Sequence, residues 1–487
     1  MPCGELIATG RPLDDAQRAL HGWFTLRVGP LGSATRTYYD TFDGLLHEDG
    51  LTLSAVNGVR TLSSRDGSPL RPIQTAKEVA GVRALLPIAQ VEVSEQLLEV
   101  LDEREKTVCR IALESPVGLR ARARLIGLRG YQRELTRVTE LLVSVGGFSP
   151  AVLPLVDEAV LAAGGNPQGA STKVEVGLRK GERADRAVAR VLLRLLEVMD
   201  TNFSGTLAGT DTEFLHDYRV AIRRTRTVIR ELRGVFPAED LERLREDFKW
   251  LQDVTSQTRD LEVYLLEFEN LRELAPQQLR DDFEPVLEVL RAWHFVARQH
   301  MERNLSDERA RRIHNEWAGL LAALPGIAVE ERPDATCPIE VLVGKRIRRV
   351  HRRMVRMGTM ITIDSPPEEF HELRKKGKEL RYLLELFAMP LFPADVVRPM
   401  VHVLKGLQDV LGRHQDREVQ MAMLRRLGDH VLARPGGVAA LIATGALVER
   451  LEADAHDARK QFAASFEEFA SDAQCKLVRN TFKSSKT

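Results

Sequence analysis

The chain is poor in cysteine and aromatic residues and carries no net charge, and each shortage removes a class of protein. Its four cysteines, Cys3, Cys109, Cys337 and Cys475, lie far apart and form no Cys-x-x-Cys pair. That excludes a disulfide framework and a cysteine-based zinc site, and it fits a reducing compartment. The 70 Lys and Arg are matched by 70 Asp and Glu, so a uniformly basic nucleic-acid binder is not expected. No apolar run reaches the ~18 residues that a membrane-spanning helix needs. The start of the chain has no basic stretch leading into an apolar one. The expectation is a soluble, cytoplasmic protein. What is present is length: 487 residues with 44% apolar content predict two or three domains with ample core.

The first third reads as mixed. Trp23–Val28, Gly50–Val56, Thr107–Leu113 and Leu119–Leu125 have β character, several with the period-two alternation of a sheet that has one wet face. Helices are predicted near 129–145 and 150–163, followed by a Gly/Pro/Asn loop at Gly164–Gly169. From about 180 onward apolar residues recur at three and four spacing, the pattern of amphipathic helices. Asp200–Thr212, Pro333–Pro338 and Asp364–Pro367 read as connections; Pro393 and Pro435-Gly436-Gly437 punctuate later helices.

The helical part repeats. Phe214-Leu215-His216-Asp217-Tyr218-Arg219 returns in form as Phe370-His371-Glu372-Leu373-Arg374, and Lys249-Trp250-Leu251-Gln252-Asp253-Val254 as Lys405-Gly406-Leu407-Gln408-Asp409-Val410. Both pairs have an offset of about 155 residues, which implies two pseudo-symmetric halves. His216, Arg219, Arg223 and Arg226 fall within an arc of ~80° at ~100° per residue. His371, Arg374, Lys378 and Arg381 repeat that spacing. A third stripe, Lys345, Arg349, Arg352 and Arg356, lies in a segment from Lys345 to Gly358 with seven Lys and Arg and no acid. Arg186, Arg190 and Arg194 match it in the first half. Like charges at this spacing repel. Asp217 and Glu231 are the only acids between 214 and 233, so an external polyanion is the expected counter-charge. A solvated helix face is the simpler reading of any one stripe; duplication argues against it. The histidines read equally as helix-capping or core residues, or as donors to the ligand, stronger once protonated. Lys249 and Lys405 are placed to pair with Asp253 and Asp409 at i, i+4. Asp260 and Asp416 read as partners that orient basic side chains, since no carboxylate cluster suggests a metal. Lys476, Arg479, Lys483 and Lys486 share a face that a solvated terminus explains equally well.

These stripes and the two Gln-Asp segments resemble the CHAD family, the conserved-histidine α-helical domains. The resemblance covers roughly 180–487. It implies an all-α domain of two four-helix halves around a basic cleft that binds inorganic polyphosphate and, in some members, association with polyphosphate granules. The residues it assigns to the ligand are His216, Arg219, Arg223, Arg226, His371, Arg374, Lys378 and Arg381. Arg190, Arg194, Lys345, Arg349, Arg352, Arg356, Lys249 and Lys405 are added as supporting cations. Thr255-Ser256 departs from the Leu411-Gly412 of the second repeat, a difference expected to loosen a helix contact.

The first third is similar to a degenerate CYTH domain, the triphosphate-tunnel β-barrel. The likeness rests on Tyr38–Asp43 followed by Gly50–Leu53, and on Leu128–Tyr131. The predicted division is 1–178 for an α+β CYTH-like domain and 179–487 for the helical one, with halves at about 179–332 and 333–487. An active tunnel needs a Glu-x-Glu-x-Lys strand near the start of the domain, and this chain has none; Thr25–Val28 stands roughly at its place. Glu92 and Glu95 have the wrong spacing for one strand face, while Arg120, Arg122 and Arg124 alternate correctly for a basic one. No metal, no cofactor and no triphosphatase activity are therefore expected. The rivals to a polyphosphate binder are a triphosphatase acting through the first domain and a nucleic-acid binder. The stripes carry almost no aromatic residue for base stacking, which counts against the latter.

Overall fold

The computed structural model describes residues 4–65 and 75–483; Cys3 and Lys486 lie outside them. Two compact units result, Met1–Ser171 and Thr172–Thr487. The first is built on eight strands: β1 (Glu5–Ala8), β2 (Thr25–Asp40), β3 (Leu51–Val56), β4 (Val59–Ser64), β5 (Leu86–Leu101), β6 (Thr107–Pro116), β7 (Arg122–Gly127) and β8 (Phe148–Pro150). They form one antiparallel sheet in the order β4-β3-β2-β5-β6-β7-β1-β8. Helices α1 (Pro12–Leu20), α2 (Leu45–Glu48), α3 (Ala76–Ala80), α4 (Gln132–Ser144) and α5 (Leu155–Ala162) complete it. The β2–β5 ladder breaks register between Val28 and Leu31, at Gly29-Pro30, where proline has no N–H to donate. The segment expected at the place of a first strand, Thr25–Val28, opens β2 instead. The first strand is Glu5–Ala8, which is too short for alternation to mark in the sequence.

The sheet has two unlike faces. One carries Leu98, Val100, Ile111, Leu113 and Ala123, packed with Leu20 of α1 and with Val138 and Leu142 of α4. The other holds ion pairs. Glu114 is almost wholly buried and accepts from Arg36 at 3.1 Å and Arg124 at 3.2 Å, and Arg36 also reaches Glu95 at 2.8 Å. Arg122 is fully buried between Glu5 and Glu158, at 2.6 Å from each. Arg120 meets Glu158 at 3.2 Å. The face expected to be basic is therefore neutralised by its own carboxylates. The reason is the cost of burying an unpaired guanidinium, which partners drawn from β1, β6 and α5 offset.

The second unit is helical: α6 (Ala184–Ala208), α7 (Thr212–Glu231), α8 (Ala238–Leu274), α9 (Glu284–Leu305), α10 (Glu308–Ala323), α11 (Ile339–Thr359), α12 (Pro367–Leu383), α13 (Met389–Leu391), α14 (Ala394–Leu432), α15 (Gly437–Ala470) and α16 (Asp472–Thr481). The connection expected at 200–212 shrinks to Gly209–Asp211. Asn202 and Thr206 bond back to the carbonyls of Val198 and Asn202 and continue α6, and Gly209 ends it in the left-handed conformation. The apolar packing does not separate the two repeats. One core joins Leu215 and Ile222 to Phe370, Leu380 and Leu404. The other joins Leu261, Phe268 and Leu290 to Leu424, Leu447 and Leu451. No helix among the described residues is long and apolar enough to cross a membrane.

Arg122→Leu leaves buried Glu5 without its cation and leaves Glu158 with Arg120 alone. It should cost the first unit about 3–5 kcal/mol, read as a lower denaturation midpoint. An unchanged midpoint would show that this network does not hold the sheet.

Candidate functional site

Local rules set the two histidine helices. Asp211 caps α7, its side chain accepting from the N–H groups of Glu213 and Phe214. Proline occupies the first turn of α12. Burial of Phe214, Leu215, Tyr218 and Ile222 on α7, and of Phe370, Leu373, Gly377 and Leu380 on α12, rotates the intervening charges to the side. Of the two, α12 packs against both α14 and α7, and the three helices border a groove of about 720 Å³. Arg223, Arg224, Arg374, Lys378, Arg381, Arg413 and Arg417 line it with His216; Asp217, Glu267, Glu385, Asp409 and Asp416 are its carboxylates. The groove is thus mixed in charge, with cations in excess.

Most of its charges are paired. Arg224 of α7 meets Glu385 at 3.2 Å, and Arg381 binds the same carboxylate. Arg374 reaches Asp416 at 3.3 Å, and Arg417 reaches Asp454 at 3.3 Å. Arg223 and Lys378 are different. Both are half-buried, and among the described residues neither side chain has a hydrogen bond or ion pair. Burial, with Arg374 and Arg223 nearby, pushes the Lys378 ammonium down to about 8. Burial also raises the carboxyls of Asp416 and Glu267. An anion seated against Arg223 and Lys378 would relieve repulsion that the protein leaves standing.

Other predicted cations are taken up by the protein itself. Arg219 is buried and donates to the Gln252 carbonyl at 2.8 Å, Thr255 Oγ1 at 2.6 Å and Ser256 Oγ at 3.2 Å. Thr255-Ser256, expected to loosen a contact, fastens α7 to α8. The second repeat has Leu411-Gly412 there and offers no hydroxyl, and Arg374 stays at the groove. Arg226 bonds to Gln252. His216 accepts at Nδ1 from Arg259 at 3.1 Å. An arginine can only donate, so this nitrogen is unprotonated and an imidazolium here would cost that bond. His371 Nδ1 lies 2.7 Å from Gln415 Oε1, and His371 is not among the residues lining the groove. Arg190 binds Glu182 and the Val176 carbonyl, and Arg194 the Lys173 carbonyl and Glu197. Lys249 pairs with Asp253 at 3.0 Å, Lys405 is exposed, and neither lines the groove. Lys345, Arg349, Arg352 and Arg356 lie on the exposed side of α11, also away from the groove lining.

Sequence reading missed Arg224, Arg413, Arg417 and Gln420. The last three stand one to three turns beyond Gln408-Asp409 on α14, where helical spacing from Gln408 points to them. No signal marked Arg224, because Glu385 is distant in sequence. Among the described residues no group of three or more His, Cys, Asp or Glu is placed to hold a metal ion.

Residues 190–425 match the family described as the CHAD domain. Among solved structures, the CHAD domain from the plant Ricinus communis is 21% identical, with a TM-score of 0.45, over 64% of this chain and 96% of that one. PptA from Streptomyces chartreusis is 15% identical, also at 0.45, over 59% of this chain and 100% of that one. No curated protein matches the chain.

Arg219→Gln should destabilise the helical unit by about 1.5–3 kcal/mol, the worth of hydrogen bonds to a charged group. Arg374→Gln, whose partner is exposed, should cost under about 1 kcal/mol. Thermal unfolding of the two variants separates them; equal losses would contradict the structural role of Arg219.

Proposed function

With residues 190–425 forming a CHAD domain, we propose that the groove between α7, α12 and α14 binds inorganic polyphosphate. CHAD domains are linked to polyphosphate in general. The observation that carries the reading to this groove is the pair Arg223 and Lys378, two half-buried cations without a hydrogen-bonded counter-ion, on helices from different repeats. A guanidinium offers forked donors to phosphate oxygens and an ammonium adds point charge. Arg374, Arg381 and exposed Arg413 extend the cationic wall, and exchange of a carboxylate partner for phosphate is available to Arg374 and Arg381. His216 lines the same groove. Association with polyphosphate granules would follow from the same binding.

The first unit is proposed to be non-catalytic. Carboxylates on its polar face, Glu5, Glu95, Glu114 and Glu158, are each committed to arginines. They do not form a donor set suited to a divalent cation, and few arginines on that face are left for a triphosphate. Phosphate release from tripolyphosphate with Mg²⁺ or Mn²⁺ should stay at background; turnover would overturn this part.

Arg223→Glu with Lys378→Glu should weaken polyphosphate binding by at least about a hundredfold, two charge-assisted contacts being lost and replaced by repulsion. Retained affinity would remove the assignment. Competition with single-stranded RNA tests the ligand class, and equal affinities would count against polyphosphate.

The pH dependence has a defined sign. Phosphate favours the charged ammonium, so the Lys378 contribution is present below about 8 and lost as pH rises through it. Asp416 and Glu267 act in the same direction, since protonation on acidification removes negative charge from the groove. Affinity measured from neutral to alkaline pH should fall by about tenfold, and Lys378→Arg should flatten that fall. An affinity constant across this range would contradict the role of Lys378.

A further inference from the structure

The stripe on α11 belongs to a surface of its own. Ile347, His351 and Met354 mark its packed side. Ile347 and His351 border a small internal cavity with Leu380, Leu384 and Phe469, and the His351 ring lies 4.9 Å from that of Phe469. Lys345, Arg349, Arg352 and Arg356 occupy the opposite side of the helical wheel and are exposed. Between Lys345 and Arg356 every exposed residue of α11 is Lys or Arg, Arg353 being the fifth. None of the five makes a hydrogen bond or ion pair among the described residues. Exposed cations elsewhere in this unit commonly have an acid within reach, as in Arg243–Asp240, Lys249–Asp253 and Arg425–Glu452. On α11 the only acid, Glu340, lies more than a turn before Lys345. At ~1.5 Å per residue the four cations of the stripe form a straight row ~16 Å long. Chain continues nearby: Phe482, just after α16, packs against Gly344, and exposed Arg479 and Lys483 flank it.

The character of this face selects its partner. Between Lys345 and Arg356 it has no exposed apolar residue to seed a protein interface and no aromatic ring to stack a base. Four of its five cations are arginines, the side chain that grips phosphate oxygens in a fork. A row of free charges at near-regular spacing on a rigid rod suits a linear polymer of phosphates. We infer that the exposed face of α11 is a second docking surface for inorganic polyphosphate, separate from the groove and engaged by chains too long for the groove alone. This inference rests on polyphosphate being the ligand of the groove. It adds a surface at which affinity grows with chain length and which short chains leave empty.

The test compares three full-length proteins: the natural chain, a groove variant (Arg223→Glu, Lys378→Glu) and a face variant (Lys345→Gln, Arg349→Gln, Arg352→Gln, Arg356→Gln). Each is titrated with tripolyphosphate and with long-chain polyphosphate at two salt concentrations. Removal of like charges from an exposed helix face should leave the melting temperature unchanged or higher, so folding is not at risk. The face variant should keep its affinity for tripolyphosphate within about twofold and lose about tenfold or more on the long chain, with a flatter salt dependence. The groove variant should lose tripolyphosphate and retain weak, salt-sensitive binding of the long chain. Unchanged long-chain affinity and salt slope in the face variant would overturn the second surface while leaving the groove reading intact. Absence of binding by the natural chain to either polymer would overturn the groove reading and this inference with it. A loss confined to duplex DNA binding would show that the face takes a different polyanion and overturn polyphosphate as its occupant.

Discussion

Repulsion between cations held close together is the constraint on which the helical unit turns. Arg223 and Lys378 stand on separate helices, and their approach is imposed from below. Leu215, Ile222, Phe370 and Leu380 share one core, and burying them fixes both helix axes and rotations. Apolar burial of this kind is worth roughly 1.5–3 kcal/mol for each large side chain. That is enough to hold a few unfavourable charge contacts in place. The depressed Lys378 ammonium reports the same tension, since burial and the neighbouring Arg374, Arg223 and Arg219 disfavour its charge, which Asp416 only partly offsets. A groove that is costly when empty is favourable to fill with an anion.

The two repeats share the histidine-helix pattern but use it differently. In the first, Arg219 is drawn down to Thr255, Ser256 and the Gln252 carbonyl and becomes a tie between α7 and α8. In the second, Leu411-Gly412 supplies no hydroxyl, and Arg374 remains beside Asp416 at the groove. The histidines diverge likewise, one accepting from Arg259 and the other facing Gln415. The residues at this pair of positions on the partner helix thus distinguish an arginine that lines the groove from one that is an internal strut. Matching sequence patterns meet different local chemistry and end in different contacts.

Charge is managed by opposite means in the two units. On the polar face of the sheet, Arg36, Arg122 and Arg124 meet carboxylates at hydrogen-bonding distance. Buried ion pairs of that kind hold a fold in register but leave little for a ligand. In the helical unit, among the described residues, three cations lining the groove, Arg223, Lys378 and Arg413, and five on α11 stay without such partners. Net charge is zero for the whole chain, yet the distribution is uneven, and it is the distribution that decides where an anion can bind.

Much of the architecture was legible from residue order. Period-two alternation marked the β character around β2, β3, β6 and β7, and three-and-four spacing marked the long helices, because each pattern follows from backbone geometry alone. The histidine stripes were legible for the same reason. Strand β1 was not, being four residues long. Nor were the counter-charges, since Glu385 for Arg224 and Glu114 for Arg36 lie far along the chain and sequence spacing measures only local distance. A stripe on a helical wheel also says which charges share a face and nothing about where that face points. By itself the sequence determined which helices carry one-sided positive charge, since helical periodicity is a local property. Only the tertiary structure decided that Arg223 and Lys378 meet in a groove, that Arg219 is consumed inside the protein and that α11 turns outward. Those outcomes depend on which apolar faces find each other across the chain.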